Sequence, residues 1–429
     1  MKLERAKGTR DFSPEEKILR DDIILRIKEI FEKYGFSPLE TPIIERYDIM
    51  TSKSSMNEDS DAYKETFSLE DNGKRKLGLR YELTFQLARF IGMNPQIKLP
   101  FKRYQIGDVF RDGPIKAGRY REFTQCDVDI VGSKNLISEG EIISLLEDVF
   151  NALNIEVIIE VNNRKLLNEV MKYAGVDKDI ELSALISIDK LDKIGLAGVK
   201  KELESKNIEE NSINKIFDII SITGSNEEKL SKIEKIIGPC EAIDELRELF
   251  DLLVSFDVEV VFTPTLARGL GYYTGCVYEI KPKDTSVLNC SLAGGGRWDN
   301  MISKYLGNEK LNYPAVGVGI GLEPIMEIMK TKVGLNKKTP AQIYLIPIKT
   351  LGETIKIAQK LRNKGLNVSM DLNKKGISKN LDYANSLNIP FVGIIGENEL
   401  KVNKIQLKNM LSGQEELLNI EEIYNKLKN

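Results

Sequence analysis

The sequence of 429 residues contains no histidine, and this absence limits the chemistry that the protein can perform. A Ser-His-Asp or Cys-His nucleophile, a histidine general base, an HExxH zinc site and a histidine-ligated haem all need imidazole side chains. Acid–base and electrostatic functions must therefore come from carboxylates, arginine, lysine, tyrosine or backbone dipoles. At about 100–200 residues per domain, the length corresponds to roughly two to four domains.

Cysteine is also scarce, and the four cysteines are scattered without a C-x-x-C pair. This spacing is typical of reduced thiols, and it argues against a zinc knuckle or a disulfide framework. No apolar run approaches the length of about 18 residues that spans a membrane, and the N-terminus lacks the apolar segment of a signal peptide. We therefore expect a cytoplasmic protein without a membrane partner.

Neither sign of charge is in excess, since 62 Lys and Arg residues face 65 Asp and Glu residues and the formal net charge is -3. The summed charge would not attract a polyanion. If the protein binds nucleic acid, it does so through local basic patches.

The first 162 residues begin with a helix and continue as strands. Ser13, Pro14 and Glu16 form a capping box with proline at the first helical position, and Gly35 marks the end of this helix. A strand is expected through 36–42. The runs LGLRYEL, FKRYQIGDVFR and REFTQCDVDIVG then predict antiparallel strands with DGPIKAG as a hairpin loop, followed by a helix near 138–153 and a strand at 155–162.

The remaining chain changes character three times. Residues 163–255 are rich in Lys and Glu with apolar residues at helical spacing, and they predict a helical insertion. Strand-like sequence returns at 256–329, and AVGVGIGLEPIMEIM predicts a strand followed by a helix. A charged linker at 330–340 precedes 341–429, where strands alternate with helices as in a small, mostly parallel α/β domain.

Three polar-faced strands are predicted close together. Glu82 and Thr84 share one face of the first strand, and the third strand is Arg268–Tyr273. In the second strand one face carries Arg121, Phe123, Gln125, Asp127 and Asp129. A single strand of this kind is usually a solvated edge, but three neighbouring ones favour a sheet that holds a ligand.

The side chains on these faces suit a small cationic ligand next to phosphates. Carboxylates bind an ammonium group or a ring N–H, and the planar forks of Arg111, Arg119, Arg121 and Arg268 suit phosphate. The three glycines before Arg297 allow a close backbone approach, although a simple glycine turn explains them as well. GVGIG lacks the third glycine and the βαβ context of a dinucleotide site. Since no nucleophile is evident, the predicted reaction depends on positioning and charge stabilisation.

These segments resemble the histidyl-tRNA synthetases, which are class II aminoacyl-tRNA synthetases. KGTRDFSPEE is similar to the N-terminus of the family, the strand ending at Pro42 to motif 1, and VFRDGPIKAGRYREF to motif 2. LARGLGYYTG and AGGGRWDN resemble the two histidine signatures, and AVGVGIGLEP resembles motif 3. LRYELT and REFTQCDVDIVG look closest to the eukaryotic and archaeal branch and to the second copy found in some bacteria.

The resemblance implies an α+β fold, in which an antiparallel sheet flanked by helices carries the active site. The catalytic domain would comprise 1–162 and 256–329, with 163–255 inserted. Residues 341–429 resemble the anticodon-binding domain. The implied partners are tRNA(His), L-histidine, ATP and a second copy of the chain in a homodimer.

The resemblance also assigns the amino-acid site. Glu82 and Thr84, with Leu83 between them, would hold the α-amino group of histidine beside Gln125. Asp129 and Tyr273 would read the imidazole, and Tyr272 would help to close the pocket. A carboxylate opposite a ring N–H makes a charge-assisted hydrogen bond that rejects apolar isosteres.

The ATP site is implied in the same way. Arg111 would bind the α-phosphate, Arg119 the outer phosphates, and Phe123 would stack on adenine. Arg268 would stabilise the transition state at the α-phosphorus, where other class II enzymes use a metal. ATP with Mg²⁺ is then the substrate, and no protein-ligated metal is expected.

Three positions depart from the family pattern. Pro324 replaces the arginine of motif 3, Gly271 replaces an acidic residue in the histidine signature, and Gly113 replaces an acid two positions after Arg111. These changes leave open a catalytically silent paralogue that senses histidine or tRNA, or a regulatory subunit of ATP phosphoribosyltransferase. Such subunits normally lack the C-terminal domain, so the presence of 341–429 favours a tRNA partner.

Overall fold

The structure is a computed structural model that describes residues 2–51, 61–115, 118–267, 271–308 and 312–428. The chain divides into two compact units. One comprises Met1–Arg10 and Ile24–Ile328, and the other comprises Asp11–Ile23 and Met329–Asn429. Helices α1 (Pro14–Lys33) and α13 (Leu322–Val333) contribute residues to both units.

The first unit contains most of the regular structure. Its strands are β1 (Ser37–Pro38), β2 (Ile44–Arg46), β3 (Ser68–Glu70), β4 (Lys76–Leu79), β5 (Phe101–Phe110), β6 (Glu122–Val131), β7 (Val157–Asn163), β8 (Val261–Phe262), β9 (Cys276–Pro282), β10 (Ala293–Arg297) and β11 (Ala315–Gly321). Its further helices are α2 (Tyr47–Met50), α3 (Asp61–Lys64), α4 (Thr84–Met93), α5 (Ile137–Ala152), α6 (Arg164–Ala174), α7 (Lys178–Ile188), α8 (Leu191–Glu204), α9 (Glu210–Ile220), α10 (Asn226–Ile237), α11 (Glu241–Ser255) and α12 (Met301–Tyr305).

A large sheet in the order β1-β5-β6-β11-β10-β9-β7-β8 dominates this unit. Its pairs are antiparallel except for β1 with β5 and β7 with β8. Strands β2, β4 and β3 form a separate small sheet. The arrangement confirms the predicted α+β fold, and α6 to α11 confirm that 163–255 is helical.

Strands β5 and β6 form the predicted hairpin, and residues 116–117 of the expected DGPIKAG loop lie outside the described residues. Pairing proceeds outward without interruption from Phe110 opposite Glu122, and it places Arg103 directly opposite Asp129. Strand β6 lies in the interior of the sheet because β11 pairs with its other side. The predicted polar face of β6 is therefore within the sheet and not at an edge.

The prediction that Glu82 and Thr84 share a strand face is wrong. Strand β4 ends at Leu79, and Thr84 is the first residue of α4. The Arg80 amide donates to Ile43 O at 2.9 Å, while Arg80 O accepts from the Phe110 amide at 2.9 Å. The chain thus passes from the small sheet to the large one, and these divided backbone bonds end the strand.

Three other strand or turn predictions also need correction. Of the expected strand at 36–42, only Ser37–Pro38 pairs with β5. Residues 271–273 of the third polar-faced strand lie in the turn before β9, and 268–270 fall outside the described residues. The glycines before Arg297 form strand β10 and not a turn.

The caps predicted for α1 are confirmed. The Ser13 amide donates to Glu16 Oε2 at 3.3 Å, and the Glu16 amide donates to Ser13 Oγ at 3.4 Å. Gly35 has a φ of 75°, which favours glycine after a helix end. No helix in the described part of the chain has the length and apolar character required to cross a membrane.

The second unit has a five-stranded sheet in the order β13-β12-β14-β15-β16. Its elements are β12 (Ile343–Pro347), α14 (Leu351–Asn363), β13 (Val368–Met370), α15 (Ile377–Ser386), β14 (Phe391–Ile395), α16 (Glu397–Lys401), β15 (Ile405–Asn409), β16 (Glu415–Leu418) and α17 (Ile420–Lys428). Strands β13, β12 and β14 are parallel as predicted, but β15 and β16 are added antiparallel. Helix α13 extends to Val333 and so includes the start of the predicted linker.

Candidate active site

Two glycines of β11 provide the space in which the polar side chains of β6 lie. Gly317 pairs with Asp129, and Gly319 pairs with Asp127. A Cβ at Gly317 would lie 1.9 Å from Asp129 Oδ1, and a Cβ at Gly319 would lie 2.7 Å from Gln125 Nε2 and 2.9 Å from Asp127 Oδ1. The two glycines of GVGIG are therefore needed to make room for the side chains of β6. This role is consistent with the expectation that the segment is not a dinucleotide-binding motif.

Strand β10 approaches the same face closely. A Cβ at Gly295 would lie 2.0 Å from Gly317 O, and a Cβ at Gly296 would lie 2.5 Å from Cys276 O and 3.0 Å from the Tyr273 ring. Only glycine fits at these two positions, because most of the nearby atoms belong to the backbone. The glycine run thus allows β9, β10, β11 and Tyr273 to approach one another beside the carboxylates of β6.

Asp129 is buried and paired with Arg103. The Nη2 atom of Arg103 lies 2.5 Å from Asp129 Oδ2, and both side chains are almost completely inaccessible. Burial raises the pKa of Asp129 above its ordinary value, whereas Arg103 and a hydrogen bond from the Trp298 side chain act to lower it. Asp129 is therefore held by a cation and an indole on the wall of the site.

Two further carboxylates lie close to Asp129. Burial raises the pKa of Glu82 to about 8, with smaller contributions in opposite directions from Arg111 and the two aspartates. Burial likewise raises the pKa of Asp127 to about 7, and Arg103 opposes this shift. The free site thus has a deficit of positive charge, because its carboxylates retain protons near neutral pH.

Arg111 lies just after β5 and is fixed by aromatic rings. Its guanidinium carbon is 4.2 Å from the centre of the Tyr81 ring and 4.9 Å from that of Phe123. Nε donates to Tyr81 O at 3.2 Å, and Nη2 donates to Gln125 Oε1 at 3.3 Å. Gln125 Nε2 in turn donates to Asp127 Oδ1 at 3.1 Å, so Arg111 is connected to the carboxylates through Gln125.

The beginning of α4 and the turn before β9 complete the group. The Tyr272 hydroxyl donates to Glu82 Oε2 at 3.5 Å, and the rings of Tyr272 and Tyr273 are 4.8 Å apart. Leu83 is fully buried at the N-cap of α4, and Thr84 is half-buried in its first turn. The tyrosines and Glu82 are thus in contact although they are far apart in the sequence.

Two other predicted phosphate ligands, Arg119 and Arg121, have partners outside this group of side chains. Arg119 is 51% exposed, and its Nη2 lies 3.4 Å from Glu65 Oε1. Arg121 pairs with Asp112 at 2.8 Å. Arg268 lies outside the described residues, so its predicted position is not addressed by the structure.

The departures from the family pattern have distinct surroundings. A Cβ at Gly113 would lie 2.5 Å from Glu65 Oε1, so the carboxylate of Glu65 occupies the space where the family acid would begin. Pro324 is buried in the first turn of α13, where its missing N–H is tolerated. Gly271 is exposed, and a Cβ there would lie 3.3 Å from Leu182 Cδ2.

Three residues of the site were not among the predicted ligands, namely Arg103, Asp127 and Trp298. Asp127 shares the strand parity of Asp129, and this signal was available in the sequence. Arg103 follows from regular pairing of the hairpin, provided that its ends are known. Trp298 directly follows the glycine run, and the sequence carries no signal for its hydrogen bond to Asp129.

The arrangement is suited to bind a small cation beside phosphate. Three buried carboxylates, Glu82, Asp127 and Asp129, are opposed chiefly by the guanidinium groups of Arg103 and Arg111. Among the described residues, no three acidic or cysteine side chains converge as metal ligands. The site can therefore orient a cationic ligand and stabilise anionic charge through arginine.

Known proteins are similar to this chain in sequence and fold over nearly its whole length. A family model described as histidyl-tRNA synthetase matches residues 8–325, and one described as an anticodon binding domain matches 342–429. Histidine–tRNA ligase 1 of Bacillus cereus is 39% identical over 97% of both chains, and histidine–tRNA ligase 2 of Shouchella clausii is 38% identical over 96% of this chain and 97% of its own. The crystal structure of histidyl-tRNA synthetase from Nostoc sp. PCC 7120 matches with a TM-score of 0.86 and 29% identity, covering 100% of this chain and 99% of that chain.

Proposed function

The chain belongs to the histidyl-tRNA synthetase family, and we propose that it acts as a histidine–tRNA ligase. It activates L-histidine with ATP to give histidyl-adenylate and pyrophosphate. It then transfers the histidyl group to the 3′ end of tRNA(His) and releases AMP. Mg²⁺ enters with ATP as part of the substrate, and residues 342–429, which match the anticodon-binding model, bind the tRNA.

The charge balance of the buried site is the observation that carries this proposal. Burial keeps the pKa values of Glu82 and Asp127 at about 8 and about 7, so the site accepts a proton when no other cation is present. Arg80, which is also buried, donates to Asp108 O and Thr41 O, and its charge acts on Asp108, Glu40 and Asp127. The α-ammonium group of an amino acid supplies the missing positive charge and donates hydrogen bonds to these carboxylates.

The site residues divide into those that hold the backbone of histidine and those that read its ring. Glu82 and Thr84 bind the α-ammonium group, with Leu83 between them and Gln125 beside them. Asp129 accepts the ring N–H, and Tyr273 binds the ring from the opposite wall. Tyr272 closes the pocket, and its position is supported by the hydrogen bond to Glu82 and the contact with Tyr273.

Adenylation needs no general base, because the histidine carboxylate is already a nucleophile at neutral pH. One of its oxygens attacks the α-phosphorus, and the bond between that phosphorus and the bridging oxygen of pyrophosphate breaks. Arg111 binds the α-phosphate, since Tyr81 O and Gln125 take two of the five guanidinium donors among the described residues. Arg268 stabilises the transition state, as the family resemblance implies.

The remaining part of ATP binds at the outer end of the site. Arg119 is half-exposed and can move from Glu65 to the outer phosphates. Arg111 covers one face of the Phe123 ring, so adenine stacks on the other face. This arrangement places the α-phosphate between the bound amino acid and the guanidinium groups of Arg111 and Arg119.

A catalytically silent paralogue, whether a sensor or a regulatory subunit, is not favoured. Relatives named histidine–tRNA ligase cover 97% of the chain at about 39% identity, and the anticodon-binding region is present. Pro324, Gly271 and Gly113 are compatible with activity, because neither Arg111 nor the three carboxylates depend on them for their contacts.

Histidine-dependent exchange between pyrophosphate and ATP tests this proposal. We expect exchange and charging of tRNA(His) in the parent, and loss of exchange in Arg268→Ala. Arg247→Ala is the matched control, because this arginine pairs with Glu227 and Glu234 on α10. A parent that binds histidine but supports no exchange would establish a sensor instead.

We also propose that the protein is a homodimer and that it acts in the cytoplasm, where ATP and tRNA are available. Ile43 and Ile44, which follow the segment similar to motif 1, are 44% and 52% exposed. An apolar pair at this location is suited to a partner surface. Sedimentation velocity tests this, and Ile44→Glu is expected to shift the parent dimer towards monomer.

A further inference from the structure

Arg103 is the most completely buried charged residue of the site. Its side chain has no exposed surface, and it lies directly opposite Asp129 in the register of β5 and β6. Nη2 also lies 3.4 Å from Leu83 O, next to Glu82. The single guanidinium therefore contacts the strand that bears the aspartates and the turn that bears Glu82.

Stability alone does not account for this ion pair. Two ions buried together lose more hydration than a good apolar pair would, so a buried pair is weak evidence of a stabilising role. Two nitrogens of Arg103, Nε and Nη1, are buried without a hydrogen-bond partner in the described residues, which adds to the cost. An ion pair with these properties in an active site indicates a role in function.

Arg103 is also the principal cation that acts on both aspartates of β6. The other charged or titratable groups that face Asp129 from neighbouring elements are Asp127 on β6, Glu82 before α4 and Tyr278 on β9. Asp127 and Glu82 disfavour an ionised Asp129 when they are themselves charged, whereas Tyr278 is neutral and its hydroxyl donates to Gly317 O at 2.9 Å. Trp298 is neutral and orients the carboxylate through its hydrogen bond.

We propose that Arg103 is a positioning residue for amino-acid recognition, which keeps Asp129 an oriented carboxylate able to accept the ring N–H of histidine. This inference rests on the proposed function and deepens it. Arg103 acts through Asp129, since its Nη2 forms the ion pair with Asp129 Oδ2 while Oδ1 lies over Gly317. A protonated Asp129 would offer a donor in place of an acceptor, and the preference for imidazole would be reduced.

The pH dependence of histidine binding distinguishes this role from a structural one. In Arg103→Met, Asp129 binds a proton that histidine must displace. The dissociation constant for histidine should therefore exceed that of the parent about tenfold or more at pH 7, and the ratio of the two constants should fall as the pH rises. The KM for ATP should change little. Trp298 is the only tryptophan of the chain and touches Asp129, so its fluorescence reports histidine binding directly.

Arg297→Met is the matched control for the loss of a buried arginine. Arg297 pairs with Glu139 at 2.6 Å, and both are buried. This variant should lose stability while its pH profile for histidine stays parallel to that of the parent. If Arg103→Met weakens both substrates equally at every pH, as a structural defect would, the inference is overturned.

The double variant Arg103→Met/Asp129→Asn removes the Arg103–Asp129 ion pair as a whole, so it should fold even where the single variant does not. We expect it to bind histidine weakly without the steep pH dependence of Arg103→Met. Retention of that dependence would overturn the role of Asp129. A parent without histidine-dependent exchange would overturn the proposed function itself, whereas an active parent with parallel Arg103→Met and Arg297→Met profiles overturns only this inference.

Discussion

Histidine binding should release close to one proton per site at pH 7. Burial keeps the pKa of Glu82 at about 8, so this carboxyl is about nine-tenths protonated at pH 7 in the free protein. An ammonium group bound beside it favours the ionised form and displaces the proton. Asp127, with a pKa of about 7, contributes up to about half a proton more.

The same values determine how affinity and stability change with pH. Histidine binding should weaken about tenfold between pH 8 and pH 7, because Glu82 and part of Asp127 must lose their protons first. The free protein should become less stable as the pH rises from about 4.5 to 8, since the folded state binds a proton that the unfolded chain has already lost. Bound histidine offsets this loss.

Calorimetric titration with histidine at pH 7, in two buffers of different ionisation enthalpy, measures the number of protons released. Glu82→Gln should release only the smaller share that belongs to Asp127, and its free form should lose less stability with rising pH. Arg247→Ala should match the parent. A proton count near zero in the parent, or an undiminished count in Glu82→Gln, would refute the assignment of a cation-binding carboxyl at this position.

Three further substitutions test separate parts of the structure. Gly317→Ala would place a methyl group 1.9 Å from Asp129 Oδ1, so we expect a loss of about 1–3 kcal/mol in the free energy of unfolding and loss of histidine binding. The control is Gly352→Ala, whose added methyl group meets no atom within 4 Å. In thermal unfolding this control should be neutral or stabilising by about 1 kcal/mol. Arg111→Lys loses the planar fork, and the exchange rate should fall about tenfold or more while the fluorescence titration still shows histidine binding; an unchanged rate would exclude Arg111 from phosphate binding. Ser13→Ala removes the cap of α1 and should lower the free energy of unfolding by about 1 kcal/mol without affecting exchange at 25 °C; an equal stability would show that the cap contributes nothing.

The parts of the fold that depend on local sequence could be predicted. The capping box of α1, the helices of 163–255 and the polar parity of β6 each arise from residues a few positions apart. The hairpin of β5 and β6 belongs to the same class, because its strands follow one another in the sequence and pair without interruption. Periodicity and capping chemistry are sufficient for such elements.

The site itself depends on pairings that periodicity does not reveal. Alternation predicts that Glu82 continues a strand, but Arg80 divides its backbone hydrogen bonds between two sheets and the chain turns away. The partner of Arg119 is Glu65, more than fifty positions earlier in the chain. The partner of Asp129 is Arg103, which the sequence presents only as one more basic residue of β5. In each case the determining contact is non-local.

The glycines of β10 and β11 explain why such a charged group can lie within the sheet. Gly317 and Gly319 lack side chains, so the space between the strands is filled by the carboxylates of β6 and not by apolar packing. The orientation of these carboxylates then depends on backbone pairing on one side and on Arg103 on the other. A neutral substitution of glycine should therefore disturb recognition as much as the removal of a charge, because an added methyl group displaces the carboxylate that the charge holds in place.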